Sequence, residues 1–398
     1  MIHRIGLAAV GVAMLAGAAA AQTVKWKKHD INDQSPFEAA GAADFNGDGK
    51  IDIFCGDSWY EAPTWKRHKV REVGQKNRFY HEDFSDAPLD VNGDGRIDLV
   101  TCNYFSQYVG WVENPPDPTK PWIEHEIDKP GSSEVGNLID VNGDGRLDFL
   151  PNTTNVIVWY ELVQQKPEVK WKRHEIGKPA GFSHGVGTGD LNGDGRLDII
   201  SPRGWYEQPA DKDSDAWEFH PEFDLGGAGI WIIGRDFDGD GLADIVWGMG
   251  HNYGLFWAKQ KKGADGKREW ARQEIDTKIS ELHTLLMADI DGDKKPELIT
   301  GKRIYGHEVE PGATDASFIY SFTYDKAAGA WRKSVIYEGK PAKNAPPKAE
   351  DRWALKDFER GTAGTGLHVE AIDIDGDGDI DLVCPGKTGL YLFENLGR

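Results

Sequence analysis

The chain has 398 residues, with 66 acidic against 46 basic side chains and a formal charge of −20. Such acidity excludes a protein that seeks phosphate backbones, so nucleic acid is not an expected partner. Three cysteines are odd in number and too few for a disulfide framework. Cys55, Cys102 and Cys384 instead read as small buried thiols.

Residues 1–21 read as a secretory signal peptide. His3 and Arg4 precede an apolar run from Ile5 to Ala20, with an A-x-A-like cleavage site about at Ala21. The run is too short for a membrane anchor, and no later stretch holds about 18 consecutive apolar residues. The expected product is exported, periplasmic or extracellular, without membrane insertion.

An internal repeat decides the expected fold. The pattern D-x-[N/D]-G-D-G-x-x-D begins at Asp44, Asp90, Asp140, Asp190, Asp236 and Asp373, with a degenerate copy, DIDGDKKPE, at Asp289. The spacings are 46, 50, 50, 46, 53 and 84 residues, so the last interval, within 306–365, contains an insertion. Each loop joins two strand-like segments. A third follows (GWYE, VGWVEN, GLYLFEN), and a fourth opens on a tryptophan: Trp65, Trp122, Trp171, Trp217, Trp270 and Trp331. Four strands per repeat of about 45 residues match a propeller blade. The last repeat ends without its fourth strand, whereas Trp26 opens an unpaired one near the N-terminus. The prediction is an all-β, seven-bladed β-propeller spanning 22–398 as one domain. Its N-terminal strand completes the last blade and removes two sheet edges.

The loops alternate carboxylates with turn glycines, a pattern that can wrap a hard cation in six to eight oxygens. The predicted calcium ligands are Asp44, Asn46, Asp48, Lys50 and Asp52; Asp90, Asn92, Asp94, Arg96 and Asp98; Asp140, Asn142, Asp144, Arg146 and Asp148; and Asp190, Asn192, Asp194, Arg196 and Asp198. The remaining loops offer Asp236, Asp238, Asp240, Leu242 and Asp244; Asp289, Asp291, Asp293, Lys295 and Glu297; and Asp373, Asp375, Asp377, Asp379 and Asp381. The seventh loop position of each set lends its carbonyl, and the ninth closes the shell from the next strand. Up to seven structural Ca2+ ions are expected, the weakest at Asp289–Glu297, where Lys294, Lys295 and Pro296 follow Asp293. Seven divalent ions would bring the mature chain from −21 to about −7. These repeats resemble FG-GAP or VCBS repeats, the type found in integrin α-chain propellers and many exported bacterial proteins, and the resemblance covers nearly the whole mature chain.

The histidines sort by position. His29, His68, His125, His174 and His220 stand three residues after a tryptophan and belong to the repeat. His81, His184, His251, His283, His307 and His368 fall at the start of a first strand or just after a second, which puts all six on the face opposite the acidic loops. Glu38 and Glu134 share the six-residue offset of His184 and His283 from their loops. Facing them are Asp57, Asn103, Tyr104, Asn152, Arg203, Asn252, Tyr253, Lys302, Arg303 and Lys387. Imidazoles, carboxylates and cations on one face suit proton transfer on a polyhydroxylated molecule. His81, Asp86, Asn103, Tyr104, Trp205, Tyr206, Trp231, His307 and Lys387 are the expected substrate-binding set. A transition metal such as zinc could be held by some of His184, His283, His368 and Glu134.

SHGVGTGDLNGDGRLDIISPRGWYEQP, GMGHNYGLFW, ELHTLLMADIDGD, ITGKRIYGHE and GLHVEAIDIDGDGDIDLV, between about Gly181 and Asn395, are similar to the propeller domain of aldos-2-ulose dehydratases. The resemblance implies a metal-using lyase that removes water from keto-sugars. The fungal enzyme's additional domains have no counterpart here, so a second, isomerising step is not carried over. Uronate polysaccharide lyases use the same logic: a base takes the acidic C–H, an electrophile holds the enolate and an acid assists the β-oxygen. His184 or His283 would be the base, Arg203, Lys302 and Arg303 the stabilisers, and Tyr253 or His251 the acid. The rival expectations are a non-catalytic carbohydrate-binding or adhesion propeller, and a scaffold for protein partners. KPAKNAPPKAEDR within the insertion reads as a surface loop or a lid.

Overall fold

Short β-branched and aromatic runs separated by Gly–Asp loops can bury their apolar side chains only by stacking as sheets. In the computed structural model, which describes residues 24–76, 80–179, 184–212, 214–306, 310–343 and 358–398, every regular element among the described residues is a strand. The expected signal peptide at 1–21, His307 and residues 344–357 of the insertion lie outside the described residues.

The strands form antiparallel meanders of four. One runs Gly41–Ala43, Asp52–Cys55, Ser58–Glu61, Lys66–Lys69, each strand pairing with the next. Five sheets have four strands, and one of eight consists of two such meanders joined by parallel pairing of Gly187 and Thr188 with Ile232 and Ile233. This junction requires glycine, because a Cβ on Gly187 would stand 1.8 Å from the Ile232 carbonyl oxygen. The N-terminal strand Trp26–Asn32 pairs with Leu390–Asn395, completing the sheet that contains Asp381–Cys384 and Glu370–Ile372.

Contacts between meanders run in a circle, which is the β-propeller arrangement. Ala39 bridges His368, Ser85 Oγ donates to the Gly136 carbonyl at 2.8 Å, and Asn152 Nδ2 donates to the His184 carbonyl at 3.0 Å. Leu282 N donates to the Met249 carbonyl at 3.1 Å, and Thr284 Oγ1 to the Leu367 carbonyl at 3.1 Å. The second strand of each meander is sandwiched by neighbours on both faces. Asp52–Cys55, Asp98–Cys102, Asp148–Thr153 and Asp381–Cys384 are therefore buried throughout, Cys55, Cys102 and Cys384 among them as free thiols.

The core is accordingly a set of layers between sheets, such as Val100, Trp111, Phe149 and Tyr160. Side-chain amides latch one sheet to the next. Asn114 Nδ2 donates to the Phe45 carbonyl at 2.9 Å, Gln260 Nε2 to that of Leu191 at 3.0 Å, and Asn395 Nδ2 to that of Ile290 at 2.8 Å.

Candidate functional site

Two polar regions lie at opposite strand ends. At one end are the acidic loops. The first aspartate of each is wrapped by backbone amides: Asp190 Oδ1 accepts from Gly193 N at 2.8 Å and Asp194 N at 3.0 Å, and Oδ2 accepts from Gly195 N at 2.9 Å. Carboxylate oxygens of Asp236, Asp238 and Asp244 lie within 4.8 Å of one another, as do those of Asp289, Asp291 and Glu297, and of Asp373, Asp375 and Asp381. That donor chemistry fits a hard cation.

Two loop positions carry further contacts. The ninth-position acids are more than loop closers. Asp198 accepts from Leu191 N at 2.8 Å and Gln208 N at 3.2 Å, and Asp98 from Val91 N at 3.0 Å and Asn114 N at 2.8 Å. Burial raises both carboxyls to about 7. Basic side chains at the seventh position, expected to offer only a carbonyl, also reach back as counter-charges: Lys50 Nζ lies 2.7 Å from Asp48 and Arg146 Nη2 2.7 Å from Asp144. In the sixth loop Lys294 takes φ 69°, the left-handed backbone that Gly195 takes at φ 84° in the fourth.

At the opposite end a buried network centres on Arg303, which is 0% exposed. Its Nε donates to Glu38 Oε1 at 2.8 Å and Nη2 to Glu38 Oε2 at 3.1 Å, while Nη1 donates to Glu134 Oε1 at 3.2 Å. Lys387 Nζ stands 3.2 Å from Glu38 Oε2 and 3.6 Å from the Tyr80 ring centroid. Glu134 Oε2 lies 3.0 Å from His184 Nδ1. Burial alone would raise the Glu134 carboxyl, but the charges of His184 and Arg303 hold it well below its ordinary value. Burial alone would likewise lower His184, but Glu134 holds it above.

Three of the six predicted histidines meet here. The His184 ring centroid is 4.8 Å from that of His251 and 6.3 Å from that of His283, and His251 is 5.4 Å from His283. His184 precedes strand Gly187–Gly189, His251 follows Asp244–Gly248 and His283 precedes Leu285–Ala288, so all three sit at strand ends away from the acidic loops. Burial, then the neighbouring His184, lowers His251 to about 4.

Glu281, which the sequence reading missed, lies two residues before His283. It is 1% exposed, has φ 59°, and neither carboxyl oxygen has a hydrogen-bond partner. Burial pushes this carboxyl up and the nearby Lys302 down. The six-residue offset could not flag it, because a left-handed backbone at Glu has no sequence signature.

Other expected site residues are placed differently. Arg203 is exposed, its Nε 3.7 Å from Asp224, and does not join Arg303. Lys302 is buried and donates to Ser280 Oγ at 3.4 Å and to the Gly312 carbonyl, so it braces backbone rather than facing a ligand. Tyr253 sits at the rim, its hydroxyl 2.5 Å from Asp315 Oδ2. His368 joins neither the imidazole trio nor a metal set. Its Nε2 is 3.3 Å from the Asn137 amide, in the amide orientation that also accepts from Trp231 Nε1 at 2.7 Å. Among the described residues no cluster of close ligand atoms unites His184, His283, His368 and Glu134. Asp86 is buried against Arg71 Nη2 at 3.1 Å, with Asp83 on the same nitrogen at 2.6 Å. Asn103 is buried, and Tyr104 packs on Phe84 and Phe105. His81 lies edge-on to Phe37, ring centroids 5.2 Å apart.

Three stretches of the chain, 90–151, 140–201 and 236–300, match the FG-GAP-like repeat. The chain carries FG-GAP-like repeats. No curated protein matches it significantly. Among solved structures, an Agrocybe aegerita lectin that recognises non-reducing terminal N-acetylglucosamine is 13% identical, with 91% of each chain covered and a TM-score of 0.45. The exotype rhamnogalacturonan lyase YesX is 10% identical, with 94% of this chain and 73% of that chain covered and a TM-score of 0.44.

The aromatic residues of the strands pack. Trp205 is 0% exposed and stacks on His220 with centroids 4.2 Å apart, so it is no sugar platform. Tyr206 is buried on Phe219, and its hydroxyl donates to the Lys178 carbonyl at 2.7 Å. Four of the five repeat histidines behave alike. His68, His125, His174 and His220 each stack on a tryptophan of the preceding strand and reach a glutamate, as in His68 Nε2 to Glu61 at 2.9 Å and His125 Nε2 to Glu113 at 2.8 Å.

Proposed function

We propose that the protein is an exported, seven-bladed propeller that catalyses β-elimination next to a carbonyl on a keto-sugar or uronate-containing glycan, with calcium in its loops. The eight-stranded sheet counts as two blades, and the five four-stranded sheets make up the remainder. The observation that carries the reading is the convergence of His184, His251 and His283 beside the Glu134–Arg303–Glu38 network. Adjacent imidazoles whose surroundings push their proton affinities in opposite directions, as those of His184 and His251 do, suit proton transfer more than binding alone.

The roles follow from the surroundings. His184, whose proton affinity Glu134 raises, stabilises the developing enolate and returns a proton to the leaving oxygen. His251, kept neutral by burial and by the charge of His184, is the proton acceptor. Arg303 has its donors committed to Glu38 and Glu134 and acts as a positioning residue, fixing Glu134 and through it His184. Calcium, where bound, would neutralise loop carboxylates and stiffen each hairpin at the far face.

The test is ultraviolet absorbance of an enone or unsaturated uronate after incubation with 1,5-anhydrofructose, polygalacturonate and alginate. Appearance of the band supports the lyase. Sugar retention without any such band supports the binding propeller instead.

A further inference from the structure

In six of the seven meanders, among the described residues, the first two strands pair without a break in register, as Gly187, Thr188 and Gly189 do with Ile200, Ile199 and Asp198. The third meander differs. Ser133 pairs with Thr153 and Gly136 with Pro151, so Glu134 and Val135 together stand opposite Asn152 alone. An extra residue of this kind is a β-bulge, which bends its strand and re-aims a side chain. Here the side chain is that of Glu134, the partner of His184.

A bulge disrupts the ladder and leaves backbone amides to be satisfied in some other way. Asn152, which is 5% exposed, does this with its own side chain: Oδ1 accepts from Glu134 N at 2.8 Å and from Val135 N at 2.9 Å. Its Nδ2 donates to the His184 carbonyl at 3.0 Å. Three of the four hydrogen bonds that the amide can make are thus spent on the main chain at both members of the Glu134–His184 pair. Of the side chains of similar shape, aspartate could not donate to the carbonyl and leucine could serve neither side. Arg303 grips the Glu134 carboxylate itself, whereas Asn152 fixes the two backbones from which Glu134 Oε2 and His184 Nδ1 come within 3.0 Å.

We infer that Asn152 is a positioning residue of the proposed centre: by closing the bulge and tying His184 to it, Asn152 sets the approach of Glu134 to His184. The catalytic meaning of this role rests on the lyase reading, while the positioning itself needs no substrate.

Glu134, Arg303, His251 and His283 face His184, and of these Glu134 raises its proton affinity. NMR titration of the His184 ring in the intact protein, in calcium, therefore reports whether Glu134 still stands beside it, the signal being assigned by its absence from His184→Ala. In Asn152→Ala the midpoint should fall by about 1 pH unit or more, in the direction that Glu134→Gln gives. Turnover should fall at least about tenfold with KM little changed. Asn114→Ala, which removes an amide latch between other sheets, controls for stability alone and should move neither readout. Where Asn152→Ala does not melt cooperatively, Asn152→Ser, which keeps a hydroxyl for the bulge amides, carries the test with a smaller shift. An unchanged midpoint, an equal shift in Asn114→Ala, or unaffected turnover in an active protein overturns the assignment. Loss of folding in both Asn152 variants overturns it too, since the residue would then be a latch of the fold. A shifted midpoint in a protein that yields no unsaturated product leaves Asn152 as the organiser of the pair and removes the lyase reading instead.

Discussion

Arg303 grips Glu38 through two nitrogens, Nε to Oε1 at 2.8 Å and Nη2 to Oε2 at 3.1 Å, across 265 residues of chain. The pair ties the sixth blade to the segment entering the first, and the third guanidinium nitrogen ties in Glu134 of the third. Removing the cation would leave two buried carboxylates undercompensated. Arg303→Met should therefore cost about 3–5 kcal/mol in urea unfolding, whereas Arg203→Met should cost less than about 0.5 kcal/mol. Equal, small effects at both positions would show that the network does not organise the centre.

Lys294 occupies a left-handed position that glycine takes in the other loops. A non-glycine residue there costs about 1–2 kcal/mol, so Lys294→Gly should stabilise the protein by about 1 kcal/mol, net of the glycine entropy it adds. Thermal unfolding at saturating calcium reads this directly. Destabilisation by the substitution would mean that the Lys294 side chain contributes more than its backbone loses.

Chelation bears on the loops as a set. A site saturated a hundredfold above its Kd adds about 2.7 kcal/mol, so removing calcium with EDTA should lower Tm by about 10 °C or more, and calcium should restore it where magnesium does not. An unchanged Tm would leave the internal amide wrapping and the Lys50 and Arg146 counter-charges as sufficient to hold the loops.

Glu370 supplies a pH test outside those loops. Burial, with the charge of Asp86 adding to it, raises its carboxyl from 4.5 to about 8. A raised folded value means that its stabilising contribution is complete below about pH 4.5 and is lost as pH rises through about 8. Glu370→Gln cannot ionise, so its stability relative to wild type should grow between pH 5 and pH 8. Discounted for the partial exposure of the side chain, the gain is up to about 2 kcal/mol. Parallel pH curves for the two proteins would contradict the assignment.

How much of this was legible in the sequence depends on whether a feature repeats. The strand order, the tryptophan-led outer strands with their stacked histidines and the N-terminal strand that completes the last sheet all follow from periodicity. The face of the non-repeat histidines followed from their offset to each loop, but offset says nothing about direction. His184, His251 and His283 converge because their sheets are neighbours, while His368, with a similar offset, turns to Asn137. Glu281 was invisible because its strain lies in φ, and Trp205 was misread because an exposed platform and a buried cross-strand stack have the same composition. Arg303 and Lys302 looked like ligand-facing cations, and only three-dimensional burial shows that their donors are already committed.

The most direct test of the central claim is turnover by wild type and His184→Ala, followed as unsaturated product on the same sugar substrate, with melting in calcium as the control for folding. Loss of the imidazole that Glu134 holds should lower turnover by about 10²-fold or more while Tm stays within a few degrees, because His184 touches none of the acidic loops. Undiminished turnover in the variant, or no unsaturated product from wild type on any keto-sugar or uronate glycan, would contradict a catalytic role for this face.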